Sequence, residues 1–220
     1  MRRRFPWASF VIVLMMVPRE AHGELEISAS GWTFAGDNRV TMDVPMTNGY
    51  GSARASKEGR SLPGFGFGLI YWFPGAPFFG VGIEGLSSKV ECDYSYTDFW
   101  DIHCCALIRI QSGRNSDFPH GRVIPYLGIG YVGFQCLSGD IYLLSPDGYH
   151  DQSLEVWSSQ LVLKAGLEWM ILGWAAFFVE GRIMSGELSG SEMEGSSLSE
   201  ESASIPGAEF AIGIAVHVFK

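Results

Sequence analysis

Apolar and polar residues alternate with a period of two over most of the chain, and turn residues bound each alternating stretch. That is the mark of β-strands with one greasy face. Eight such segments are predicted, at 25–36, 62–73, 78–89, 99–111, 122–136, 155–172, 175–187 and 205–219. Two connections between them are tight, Pro74-Gly75-Ala76-Pro77 and Gly173-Trp174. The others are longer: 37–61, 90–98, 112–121, 137–154 (with Ser145-Pro146-Asp147-Gly148) and the Ser/Glu-rich 188–204. Odd connections are mostly long and even ones mostly short, although 112–121 is longer than that rule prefers. This asymmetry is a property of membrane β-barrels.

The two faces of each segment separate a soluble barrel from a membrane barrel. Segment 78–89 sets Phe79, Val81 and Ile83 against Gly80, Gly82, Glu84 and Ser88. Segment 99–111 sets Trp100, Ile102, Ala106, Ile108 and Ile110 against Asp101, His103, Arg109 and Gln111. Segment 155–172 sets Trp157, Leu161, Leu163, Leu167, Trp169 and Ile171 against Ser158, Gln160, Lys164, Gly166 and Glu168. In 175–187, Phe177, Val179 and Ile183 oppose Glu180 and Arg182. In 205–219, Phe210, Ile212, Ile214, Val216 and Val218 oppose Glu209, Gly213 and His217. The polar face is rich in Gly, including Gly64, Gly66, Gly68, Gly128 and Gly130, and mixes acids with bases. Small residues suit a crowded lumen, and large apolar ones suit contact with acyl chains. The expectation is an all-β, eight-stranded antiparallel transmembrane up-and-down barrel with a polar interior. Tyr71, Phe73, Phe78, Trp169 and Trp174 at one end, and Trp32, Phe34, Trp100 and Trp157 at the other, are expected to form two interfacial girdles.

The N-terminus adds a destination. Arg2, Arg3 and Arg4 precede a short apolar stretch from Trp7 to Val17, and Ala21-His22-Gly23 is a small-x-small cleavage site. Residues 1–23 read as a signal peptide and 24–220 as one barrel domain, exported through the periplasm to the cell outer membrane. The apolar stretch is too short to span a bilayer as a helix, and no later uncharged apolar run is long enough. Removing residues 1–23 takes away four arginines and one glutamate, which moves the net charge from −9 to −12. A chain this acidic does not attract nucleic acid through its net field.

The fifth and last segments carry a family likeness. Ile124-Pro125-Tyr126-Leu127-Gly128-Ile129-Gly130-Tyr131 and Ala208 to Phe219 resemble strands of the small eight-stranded outer-membrane barrel superfamily, typified by the OmpA transmembrane domain, OmpX and OmpW. Essentially all of 24–219 fits. Such proteins usually finish on an aromatic residue read by the barrel insertion machinery, whereas here Phe219 is followed by Lys220. The likeness is specific for architecture and weak for function.

Chemistry is sparse. Glu84, Lys164, Glu180, Arg182 and Glu209 fall on the inner face and are expected to form an interior salt-bridge network, because unpaired charges in a narrow lumen are costly. That network is expected to plug the barrel; a gate that re-pairs to pass a solute is the alternative. No catalytic residue is assigned: His103 and His217 point inward, His120 and His150 lie in connections, and no Ser/His pair shares a lipid-facing face. Cys92 and Cys136 are the candidates for a disulfide, one that needs loop adjustment, with thiols as the other reading. Cysteine spacing matches no zinc site. No calcium-loop spacing occurs among Glu187, Glu192, Glu194, Glu200 and Glu201, or beside the basic Arg39, Arg54, Lys57 and Arg60 of the first connection. No cofactor or metal is expected. The expected partners are outer-membrane lipid of the lipopolysaccharide type, the insertion machinery, and a host or small-molecule ligand at the outer loops. The favoured function is a non-enzymatic surface protein with a structural, adhesive or antigenic role. The alternative is an OmpW-like narrow channel, or porin, for small molecules, hydrophobic ones included.

Overall fold

In a computed structural model, the described residues are 23–35, 39–48, 51–92, 95–145, 148–184, 187–190 and 201–219. The signal-peptide reading therefore lies outside the described residues, apart from Gly23. So do Glu192, Glu194, Glu200 and Lys220. Among the described residues no helix is long and apolar enough to cross a membrane.

Twelve strands form one antiparallel sheet. Eight close a ring: β1 (Glu24–Phe34), β4 (Gly64–Phe73), β5 (Ala76–Cys92), β6 (Ser95–Arg109), β7 (Val123–Ser145), β8 (Gly148–Leu172), β9 (Ala175–Ile183) and β12 (Ala208–Phe219). Each pairs with the next, and β12 pairs with β1 from Glu24↔Phe219 to Phe34↔Glu209, so the ring has no open edge. Closure matters in lipid, where an unpaired strand edge has no water to bond to. These eight are the strands expected from periodicity.

The remaining four strands lie where long connections were expected. β2 (Arg39–Asn48) and β3 (Gly51–Ser61) form a hairpin, and β3 pairs with β5 at Arg60↔Glu91. β10 (Glu187–Gly190) and β11 (Glu201–Ser204) form another, and β11 pairs with β2. β10 also lies against β8. The sheet thus continues past the short strands at one end. β7 and β8 are 23 and 25 residues long. About 10 residues at ~3.3 Å rise suffice to cross the hydrocarbon, so more than half of each projects beyond it. The stretch read as a connection at 137–154 is mostly strand. β7 and β8 pair as far as Ser145↔Gly148, where Gly148 adopts φ +124°.

β5 records the change of surroundings along one strand. Near the turn end its outward residues are apolar, such as Val81, while Gly80, Gly82 and Glu84 face inward. Toward the long-strand end the outward residues become Lys89 and Glu91, and the inward ones Leu86, Val90 and Cys92. The inside of the projecting part is an apolar core of Trp32, Phe34, Val40, Met42, Phe99, Leu137, Val156 and Ile205, among others. Trp32 and Phe34 are therefore not girdle residues. Both are buried in this core, where their rings pack edge-on and both meet Phe99. Above the lipid the outside faces water, so apolar side chains gain by turning inward.

Candidate functional site: the filled lumen

Within the lipid-facing section the sides are reversed. Leu127 is 67% exposed and Phe67 65%, while Lys164 is 3% and Glu180 2% exposed. On β8 the exposed apolar positions run Leu161, Leu163, Leu167, Trp169 and Ile171. Phe78, Trp169 and Trp174 are exposed at the turn end and Trp100 nearer the other, while Tyr71 and Phe73 are half-buried. Seven acidic side chains are buried (Glu24, Glu26, Glu84, Asp101, Glu168, Glu180, Glu209), with Arg109, Lys164, Arg182, His103 and His217. They form two layers.

The layer toward the long-strand end contains all five residues predicted as a network. Register explains why they meet: Lys164 of β8 lies opposite Arg182 of β9, which lies opposite Glu209 of β12. Glu84 reaches them from β5 across the lumen. Lys164 Nζ donates to Glu84 Oε1 at 2.6 Å and lies 3.0 Å from Glu180 Oε2. Arg182 Nε donates to Glu180 Oε1 at 2.5 Å, and its terminal nitrogens lie 3.1 Å from Glu84 and 3.5 Å from Glu209. Tyr126 donates to Glu180 Oε2 at 2.8 Å. Tyr126 lies directly over Gly166, where a Cβ would come within 2.2 Å of the ring, so the aromatic needs a residue without a side chain there. Asp101 and His103 adjoin this layer from β6, 2.7 Å apart.

A second layer, near the turn end, centres on Glu24. Arg109 donates to both its oxygens, at 2.8 and 2.5 Å, and to the Pro77 carbonyl at 2.9 Å. His217 Nδ1 lies 2.6 Å and His120 Nδ1 2.9 Å from the same carboxylate. Trp72 donates to Glu26 Oε2 at 2.8 Å, and Arg109 stacks 4.0 Å over its ring. His217 Nε2 faces Glu168 at 3.4 Å.

Several of these residues were not legible as site residues. Glu24, Glu26, Ser28 and Ser30 share one parity and alternate with Leu25, Ile27 and Ala29, a signal that could have placed them inside. His120 was read as a loop residue. His120 does lie in that connection, and the segment 110–122 folds back across the turn end: Asn115 Oδ1 accepts from the amides of Asp117 and Phe118, and Phe118 packs on the cluster of Ile124, Met170, Ala176, Phe178 and Ala215. Gln135 enters the lumen through a bulge in β7 between Val132 and Gln135, which adds a residue and changes which face follows.

The four cysteines are all thiols. The candidate Cys92–Cys136 bridge is not formed, and its geometry is unfavourable. Cys92 lies opposite Ser95 on β6 and Cys136 opposite Trp100, an offset of five residues or roughly 16 Å along the strand at ~3.3 Å per residue. Cys92 also belongs to the inner core, whereas Cys136 shares the face of outward Trp100. A disulfide needs Cα atoms within ~7 Å. The side chains of Glu187, Glu201, Arg54, Trp157 and His150 lie outside the description.

No family model matches the sequence, and comparison with curated proteins finds no match. Solved structures do match. OprG from Pseudomonas aeruginosa, an outer-membrane protein, is 13% identical over 91% of this chain and 98% of that one, with a TM-score of 0.52. The fold is that of a small outer-membrane β-barrel. Ail of Yersinia pestis, named for attachment and invasion, is 14% identical over 90% and 99% of the chains at TM-score 0.46. The N-terminal barrel domain of P. aeruginosa OprF is 12% identical over 90% and 100% at 0.44.

Proposed function

We propose that this protein is a non-enzymatic outer-membrane barrel whose working surface is its projecting end, in a structural, adhesive or antigen-display role. One observation carries the reading: the lumen is filled along its length. Among the described residues, Phe99, His103, Leu107, Trp72, Arg109, Ile124 and Met170 are all less than 2% exposed, and they come from every level of the interior. Two ionic layers alternate with apolar clusters, and loop 110–122 covers the turn end. A barrel packed in this way offers a solute no ready path. What differs from a minimal barrel is the projecting end, built from β2, β3, β10, β11 and the extended β7–β8 hairpin. Its exposed polar residues, such as Glu58, Arg60, Lys89, Glu91 and Asp98, suit contact with a ligand in water or with lipopolysaccharide headgroups. By the loop rule for such barrels this end faces outward, with export through the periplasm and insertion from that side.

Planar-bilayer conductance of the refolded protein tests the reading. Wild type is expected to be silent, and Lys164→Ala or Arg182→Ala to open or destabilise the barrel. Steady conductance by wild type would instead favour the narrow-channel reading. A ligand whose binding survives removal of the β7–β8 tip would argue against the projecting end as the working surface.

A further inference from the structure

The ionic layer toward the long-strand end, the upper of the two, is short of permanent positive charge. Its four carboxylates are Glu84, Glu180, Glu209 and Asp101, and its permanent cations are Lys164 and Arg182. The only other buried Lys or Arg among the described residues is Arg109, committed to Glu24 in the lower layer. The shortfall is not spread evenly. Glu84 and Glu180 both contact Lys164 and Arg182, while Asp101 and Glu209 are left with His103 and the far edge of Arg182 at 3.5 Å.

Asp101, His103 and Glu209 each offer one ligand atom, and these atoms lie within 4.8 Å of one another. The three residues come from two strands that are not neighbours, β6 and β12, and meet across the lumen. All three are at least nine-tenths buried. Neither carboxylate oxygen of Glu209 accepts a hydrogen bond, and His103 Nδ1 has no hydrogen-bond partner. A desolvated carboxylate whose one cation, Arg182, stands 3.5 Å away without making a hydrogen bond is expensive to keep. Asp101 is oriented by Gln135, whose amide donates to Oδ2 at 3.2 Å and leaves Oδ1 turned toward His103. That outer-shell arrangement is typical of metal ligands.

We propose that Asp101, His103 and Glu209 form a binding site for a divalent first-row transition metal, with zinc as the representative ion. An imidazole with two carboxylates suits zinc and its neighbours better than calcium or magnesium, which take oxygen donors almost alone. A dication beside neutral His103 balances the two-charge deficit of the layer. Zn–N and Zn–O bonds of ~2.0–2.2 Å place tetrahedral ligand atoms about 3.4 Å apart, so the 2.7 Å gap between Asp101 and His103 opens by only about 0.7 Å. The lower trio of Glu26, Glu168 and His217 has similar spacing. By the same count it has the same shortfall, Glu24, Glu26 and Glu168 against Arg109, but its ligand groups are engaged: Trp72 donates to Glu26, and Glu24 holds His217 at 2.6 Å. The apolar core of the projecting end lies above the site, so the metal enters as the barrel closes.

The test is to refold the full chain in detergent with zinc present, pass it through gel filtration, and measure retained metal. Wild type and a His150→Ala control are expected to keep roughly one zinc per chain, and His103→Ala and Glu209→Gln to lose it at least ~tenfold. Glu209→Gln also separates this site from a purely structural ion pair. With chelator present it is expected to be no less stable to urea than wild type, and zinc is expected to raise the urea midpoint of wild type only. Should the variants fail to fold, wild type refolded with cobalt(II) is expected to show visible d–d absorption from a nitrogen- and oxygen-ligated ion. Wild type without zinc above the detergent blank, variants that hold as much as wild type, or cobalt-refolded protein without those bands would each overturn the proposal.

Discussion

At the scale of single residues, the lumen is governed by the difference between burying a charge and burying a paired charge. Arg182 contacts three carboxylates, Glu84, Glu180 and Glu209. Removing it strands acids that remain away from water. Arg182→Ala is expected to destabilise the barrel by about 3–5 kcal/mol, read as a lowered urea midpoint in detergent. A double change, Arg182→Met with Glu180→Gln, removes charges of opposite sign together and is expected to recover part of that loss. If both variants unfolded at the wild-type midpoint, the layer would not be holding the barrel together. These four residues and Lys164 were legible in the sequence because each occupies the parity opposite large apolar neighbours. Gln135 was not, because the bulge at Gly133 changes the phase of β7, and no local composition announces it.

Elements divide into those that lipid dictates and those that only pairing explains. The eight ring strands are legible because acyl chains demand an unbroken outward apolar row. The β2–β3 and β10–β11 hairpins answer to no such demand. Their Gly, Ser and charged residues read as loop, and they become strands by pairing with one another and, through β3, with β5 above the lipid. The 110–122 segment is a third kind, a connection that closes the turn end. Its path needs Gly121 at φ +103°, where a Cβ would lie 2.5 Å from the Ser112 carbonyl. Gly121→Ala is expected to destabilise by about 1–3 kcal/mol. It should also speed hydrogen exchange at the Gly121 and Arg122 amides, which bond to the Phe118 and Ser112 carbonyls. Unchanged exchange there would mean that the segment does not need this conformation.

For the whole molecule, the decisive fact is that one sheet passes through two solvents. In lipid the outside is greasy and the inside ionic; beyond it the outside is ionic and the inside greasy. Two substitutions on β8 test where the boundary lies. Leu167→Arg, in the exposed apolar row, is expected to cost about 2–4 kcal/mol in lipid vesicles. Ser159→Arg, on the same outward face toward the long-strand end, is expected to change stability by about 0.5 kcal/mol or less. Equal, small effects would describe a barrel surrounded by water throughout.

From its own pattern the sequence determined the ring: eight strands, their turn-end connections, the greasy exterior and the five-residue ionic layer. Those features depend on local alternation, and alternation is written along the chain. The tertiary structure decided what depends on register and depth. It turned Trp32 and Phe34 inward, set Cys92 and Cys136 too far apart to bridge, brought Glu24 and His120 together, and gathered Asp101, His103 and Glu209 across the lumen. Which solvent a strand meets, and which distant side chain it faces, is set by strand pairing and depth, and neither is a property of any short stretch of residues.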